Sequence, residues 1–112
     1  MKQYANGFLL MMFGVIFTGM ALAGEVHEVV AYEYKFDPAE ITIKVGDTVR
    51  WVNKEGRAYH NVWFRELGEE SGTSFFPGET YERTFDQPGV YPYVCRPHEE
   101  RRDMKGVVHV VE

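Results

Sequence analysis

Glu40-Ile41-Thr42-Ile43-Lys44-Val45-Gly46-Asp47-Thr48-Val49-Arg50-Trp51-Val52-Asn53 alternates apolar and polar residues on both sides of a Gly-Asp turn. A period of two places Ile41, Ile43 and Val45 on one face of a strand, and Val49 and Trp51 on one face of the next. Outward from this pair, residues 26–34 are rich in Val and Tyr, and residues 60–64 are another short strand candidate. Residues 80–85 alternate through Tyr81, Arg83 and Phe85 before the turn Gln87-Pro88-Gly89, and residues 90–95 and 106–111 supply two more strands. The polar, Gly-rich stretch from 65 to 79 fits a short helix or an irregular loop, ending in a turn at Phe75-Phe76-Pro77-Gly78. About seven short strands, with no helical stretch long enough for a crossover, predict an all-β, antiparallel sandwich or barrel. A chain of 112 residues holds one such domain.

The 15% aromatic content belongs to a chain that packs a core, which excludes disorder. Twelve basic against seventeen acidic residues give a net charge of −5, which argues against nucleic acid as a partner. All seventeen acidic residues lie at or after Glu25. Before it, Lys2, an apolar run over residues 8–20 and Ala21-Leu22-Ala23 read as a secretory signal peptide over residues 1–23. The run is short for a membrane span, which needs ~20 apolar residues, so a retained anchor is the weaker reading. Residues 24–112 are then the exported domain, expected in the periplasm as a monomer. Exported domains of this size often rely on disulfides or a metal, and a single cysteine cannot form an internal disulfide.

That cysteine begins Cys95-Arg96-Pro97-His98, with Met104 following after five residues. Met104 is the only methionine after the leader, and His60 lies upstream in Tyr59-His60-Asn61-Val62. Singly, each has a plain structural reading: a small buried hydrophobe, a polar strand end, core filler. Together, one thiolate, two imidazoles and one thioether are the soft donor set of a mononuclear blue-copper site. The thiolate binds copper covalently, the imidazoles complete a trigonal plane, and a weak axial thioether keeps the geometry between the preferences of Cu(I) and Cu(II). Zinc would be accepted by the thiolate and imidazoles, but the thioether points to copper. His27 and His109 fall on strands with no partner pattern and read as surface or edge residues rather than ligands. Trp51 reads as core, Phe75 and Phe76 as candidates for an apolar contact near the site, and Glu69-Glu70 as a solvated loop.

The chain resembles the cupredoxins, most of all the amicyanin, pseudoazurin, plastocyanin and halocyanin group. Phe36-Asp37-Pro38, the stretch from Ile41 to Asn53, His60-Asn61-Val62-Trp63-Phe64, the stretch from Gly89 to His98, and Met104-Lys105-Gly106-Val107-Val108 carry the likeness. It implies a Greek-key β-sandwich, one copper ion, and His60, Cys95 and His98 as equatorial ligands with Met104 axial. It also implies that Asn61 ties the two ligand loops together. Pro97 has no N–H to donate towards the Cys95 sulfur. Two features depart from the group's pattern: five residues separate His98 from Met104, and Glu99-Glu100-Arg101-Arg102-Asp103 is wholly charged. An extra residue can bulge outwards, or it can move the thioether off the metal and leave room for Glu99 or Glu100.

The resemblance implies a single-electron carrier rather than an enzyme, with His98 as the surface-facing ligand. Its expected partners are redox proteins, such as a c-type cytochrome or a periplasmic dehydrogenase. The alternatives are copper handling with the same ligands, or an open or carboxylate-bound site with a catalytic or sensing role.

Overall fold

The computed structural model describes residues 24–112, so the expected leader lies outside the described residues. Seven strands form two sheets: β1 (Val26–Tyr32), β2 (Lys35–Asp37), β3 (Glu40–Lys44), β4 (Thr48–Asn53), β5 (Thr80–Thr84), β6 (Gly89–Val94) and β7 (Lys105–Val111). One sheet has the order β2-β1-β4-β5, the other β3-β7-β6. The alternating stretch over residues 40–53 forms β3 and β4, and these two strands lie in different sheets. Gly46, at φ 95, turns the chain between them, and Asp47 fastens the turn. Its carboxylate accepts from the Lys44 N–H, the Glu25 N–H and His27 Nε2 at 3.0, 2.9 and 2.9 Å.

The inward residues of the two sheets meet in one core. Val29, Ala31, Val49 and Trp51 come from the first sheet, and Ile43, Tyr93, Val108 and Val110 from the second. Trp51 is fully buried, and its ring meets Tyr93 edge-on at 5.3 Å and Phe64 at 6.1 Å. Burying such a ring removes enough apolar surface from water to contribute several kcal/mol, at ~25 cal/mol per Å².

Three expectations are corrected. The sandwich is not wholly antiparallel: β1 runs parallel to β4 and β3 parallel to β7, because between each such pair the chain crosses to the other sheet and back instead of making a hairpin. Residues 26–34 are not one strand. Glu33 and Tyr34 take φ of 53° and 60°, which folds the chain back so that β2 pairs antiparallel with β1. Residues 60–64 form no strand either. His60 bridges to Phe75 and Trp63 bridges to Val94, so the segment crosses between partners instead of laddering along one. Residues 65–79 hold one tight turn of helix, Arg65–Leu67, and are otherwise irregular. Among the described residues no helix is long and apolar enough to cross a membrane.

Candidate metal centre

Two connections meet at one end of the sandwich, one between β4 and β5 and one between β6 and β7. The first carries His60, whose N–H and C=O exchange hydrogen bonds with Phe75 at 3.1 and 2.8 Å. The second begins where β6 ends, with Cys95. A tight turn over Arg96–His98 then runs into the one-turn helix α1 (Glu99–Arg102). Asp103, at φ 53, stops α1, and Met104 returns so that its carbonyl accepts the Cys95 N–H at 3.0 Å. The extra residue of this loop is therefore taken up in an outward turn of helix. Met104 is buried and its backbone lies against Cys95.

His60 Nδ1, Cys95 Sγ and His98 Nδ1 converge. The two nitrogens are 3.2 Å apart, and the sulfur is 3.7 Å from His60 and 3.4 Å from His98. A point equidistant from the three lies about 2.0 Å from each, which is a metal–nitrogen bond length. His60 and Cys95 are fully buried, and His98 is half-buried. The donor set therefore fits a soft, thiolate-accepting cation such as copper.

The surroundings fix these side chains. Asn61 donates its N–H to Cys95 Sγ at 3.4 Å, and its amide oxygen accepts the Arg96 N–H at 2.9 Å. Its amide nitrogen donates to Ser71 Oγ at 2.9 Å on its own connection, while the bonds to Cys95 and Arg96 tie the two ligand loops together. Glu55 was not singled out from sequence, yet its carboxylate meets His60 Nε2 at 2.9 Å and accepts the Tyr34 N–H at 2.9 Å. That contact leaves His60 Nδ1 facing the sulfur. Tyr34, also missed, lies edge-on to His98 at 4.8 Å. A lone Glu five residues before a His, and a Tyr in a turn, give no readable pattern.

The electrostatics suit a metal site. Burial lowers the pKa of His60, more than Glu55 raises it, so the imidazole stays neutral. Burial also lowers His98, helped by the Arg102 charge and by the repulsion that protonating both His98 and His60 would set up. Burial tends to raise Glu55, but hydrogen bonds from Tyr34 and His60 outweigh it and hold the carboxyl below its usual range. The Cys95 thiol is pushed up by burial, so loading a metal must expel its proton.

The other expected residues fall as follows. Phe75 is buried against His60, and Phe76 is exposed and packs on Tyr59. Glu69 is no solvated residue: its carboxylate pairs with Arg83, and its carbonyl accepts from Trp63 Nε1 at 2.8 Å. Glu99 is gripped by both guanidinium nitrogens of Arg65 at 3.1 and 2.7 Å, which commits it away from the donors. His27 and His109 are not at sheet edges: they sit on the interior strands β1 and β7, part-exposed on the outer faces, each with a carboxylate partner, Asp47 and Glu40.

A two-sheet β-sandwich carrying a His-Cys-His set at one end defines the cupredoxin class of copper proteins. The chain belongs to the plastocyanin/azurin family of copper binding proteins, whose pattern matches residues 25–111. It is similar to plastocyanin of Scenedesmus fuscus, 40% identical over 85 aligned residues, the match covering 67% of this chain and 85% of that protein. It is also similar to amicyanin of Paracoccus denitrificans, 41% identical over 68 residues, covering 57% of this chain and 51% of the relative. Among solved structures, the Cu(I) form of an amicyanin variant superposes with a TM-score of 0.69 at 38% identity, covering 80% of this chain and 85% of that one.

Proposed function

We propose that residues 24–112 form an exported carrier of single electrons, with residues 1–23 serving as its leader. The observation that carries this reading is the convergence of two imidazole nitrogens and one thiol sulfur, of which only His98 reaches the surface. His60 Nδ1, Cys95 Sγ and His98 Nδ1 would hold copper, with the Met104 thioether as the weak fourth donor. Copper, when bound, supplies one-electron chemistry by alternating between Cu(I) and Cu(II).

The chain's own residues do the rest. Glu55 and Asn61 hold His60 and Cys95 on rigid backbone, so the donors need not move when the charge at the centre changes. Burial of His60 and Cys95 keeps water out, and the Asn61 N–H on the sulfur tempers its electron donation. His98 gives the site its one edge within reach of a partner. The partners are redox proteins, such as a c-type cytochrome or a periplasmic dehydrogenase, met in small and short-lived encounters.

The test is to load the purified domain with Cu(II) and record visible and electron paramagnetic resonance spectra. An intense blue thiolate band with narrow copper hyperfine splitting is the expected result. A colourless complex, or wide splitting without a thiolate band, would overturn the reading. Loss of residues 1–23 from protein recovered in the periplasm tests the leader.

A further inference from the structure

By sequence the ligand loop is balanced, with Arg96, Arg101 and Arg102 against Glu99, Glu100 and Asp103. In the fold it is not. Glu99 is paired by Arg65 and Asp103 by Lys105 at 3.3 Å, and both cations come from outside the loop. Among the described residues none of the three loop arginines has a carboxylate partner within salt-bridge distance, and Glu100 alone stands against them. Two of the three lie on aromatic rings instead. The Arg96 guanidinium lies over Trp63 at 5.3 Å, and that of Arg102 over Tyr34 at 3.9 Å, with Tyr34 edge-on to His98. Beside the same ligand lies an apolar pair: Tyr59, 42% exposed, has its ring 6.2 Å from His98 and packs at a tilt against Phe76, 50% exposed, with centroids 5.4 Å apart.

We propose that this end of the molecule is a docking face for a redox protein whose electron-exchange edge is ringed by carboxylates. The proposal rests on the electron-carrier reading and adds to it the charge of the partner. Stacked guanidinium groups suit such a face, because they are weakly hydrated, fork-shaped for carboxylates, and already ordered by the rings beneath them. Tyr59 and Phe76 would form the dry centre of a small contact, with the arginines at its rim.

Residues 24–112 as a whole carry 11 basic and 17 acidic side chains, and that net charge favours the opposite, a basic partner. Screening separates the two. At 0.1 M ionic strength the Debye length is about 10 Å, so charges at the contact count and those on the far end of the sandwich are largely screened.

The experiment is stopped-flow electron transfer from the copper-loaded, reduced protein to two c-type cytochromes of matched potential. One has an acidic haem edge, and the other a lysine-ringed edge. At 0.1 M ionic strength the acidic cytochrome should react at least about tenfold faster, and its rate should fall as salt rises to 0.5 M. Replacing Arg96→Gln, Arg101→Gln and Arg102→Gln together should abolish that preference. The copper spectrum should not change, and dividing each cytochrome rate by the rate with a neutral quinone removes the effect of the lost charges on the copper potential. If the triple variant fails to fold, Arg101→Gln alone, on the exposed side of α1, should still lower the acidic cytochrome's rate two- to threefold. A faster basic cytochrome, or a preference that survives these substitutions, would overturn the docking face and leave the carrier standing. Failure to exchange electrons even with the quinone would overturn both.

Discussion

Truncating Asn61 to alanine is expected to cost more than any ordinary surface change, because its side chain is buried and fully used. The oxygen accepts the Arg96 N–H at 2.9 Å, and the nitrogen donates to Ser71 Oγ at 2.9 Å and, more weakly, to the Gly72 carbonyl at 3.4 Å. Two good hydrogen bonds contribute ~1 kcal/mol each, and a stranded Arg96 N–H adds roughly another, so Asn61→Ala should lose about 3 kcal/mol. For a domain of this size each kcal/mol moves the melting temperature by roughly 4–8 °C, which puts the loss at about 12–24 °C. Calorimetry of the metal-free protein reads this directly, without metal binding to mask it. Ser71→Ala removes one of the bonds and leaves the Arg96 contact intact, so it should show about a third of the effect. A shift under ~4 °C for Asn61→Ala would refute the accounting. An equal shift for both variants would place the whole effect on the Ser71 side and none on the ligand loop.

Gly106→Ala should destabilise by at least ~1–3 kcal/mol, read as a lower urea midpoint at unchanged slope. The new methyl would overlap the Tyr93 hydroxyl and meet the Ala39 carbonyl at 2.9 Å. Glu55→Leu removes the acceptor of both His60 Nε2 and the Tyr34 N–H, and copper affinity measured against a chelator should fall about 10–100-fold. Glu55→Gln, which keeps an acceptor oxygen, should lose less. Metal-free stability should depend on pH through two imidazoles. His60 and His98 are both held below the ordinary value of 6.5, so the unfolded chain binds more protons below it. Their contribution is complete above about pH 6.5 and is lost as pH falls below it, whereas a flat urea midpoint between pH 7 and 5 would contradict this. A second loss should follow in the carboxylate range, where Asp47 is held down by the Lys44 N–H, by His27 and by the Glu25 N–H.

The alternation through Ile41, Ile43, Val49 and Trp51 was legible because a half-buried strand imposes a period of two on its own sequence. So was Cys95-Arg96-Pro97-His98, since a soft donor set restricts which residue types can serve. Residues 60–64 misled for a physical reason: a segment bridging first to Phe75 and then to Val94 carries the same pattern as a true strand. The turn at Glu33 and Tyr34 was hidden because neither is a usual residue for positive φ. Its conformation is enforced from a distance, by Glu55 accepting the Tyr34 N–H. The unpaired arginines of the ligand loop were equally invisible, since they follow from Arg65 reaching Glu99 across 34 positions. Local sequence records periodicity and chemistry, while a partner brought in by the fold leaves no trace near the residue it serves.

In the second sheet the central strand is β7, flanked by β3 and β6. Glu40 pairs with Val107 and Lys44 with Val111, so β3 waits for a partner more than sixty residues further along. Until Lys105–Val111 are available, β3 has no neighbour in its sheet and β6 has only the single bridge from Val94 to Trp63. This sheet therefore assembles all at once and late, and such long-range closure places folding on the millisecond-to-second scale of β-sandwiches. A chain cut before Lys105 would keep every candidate donor, yet it would lack the strand against which Cys95 and Met104 are set.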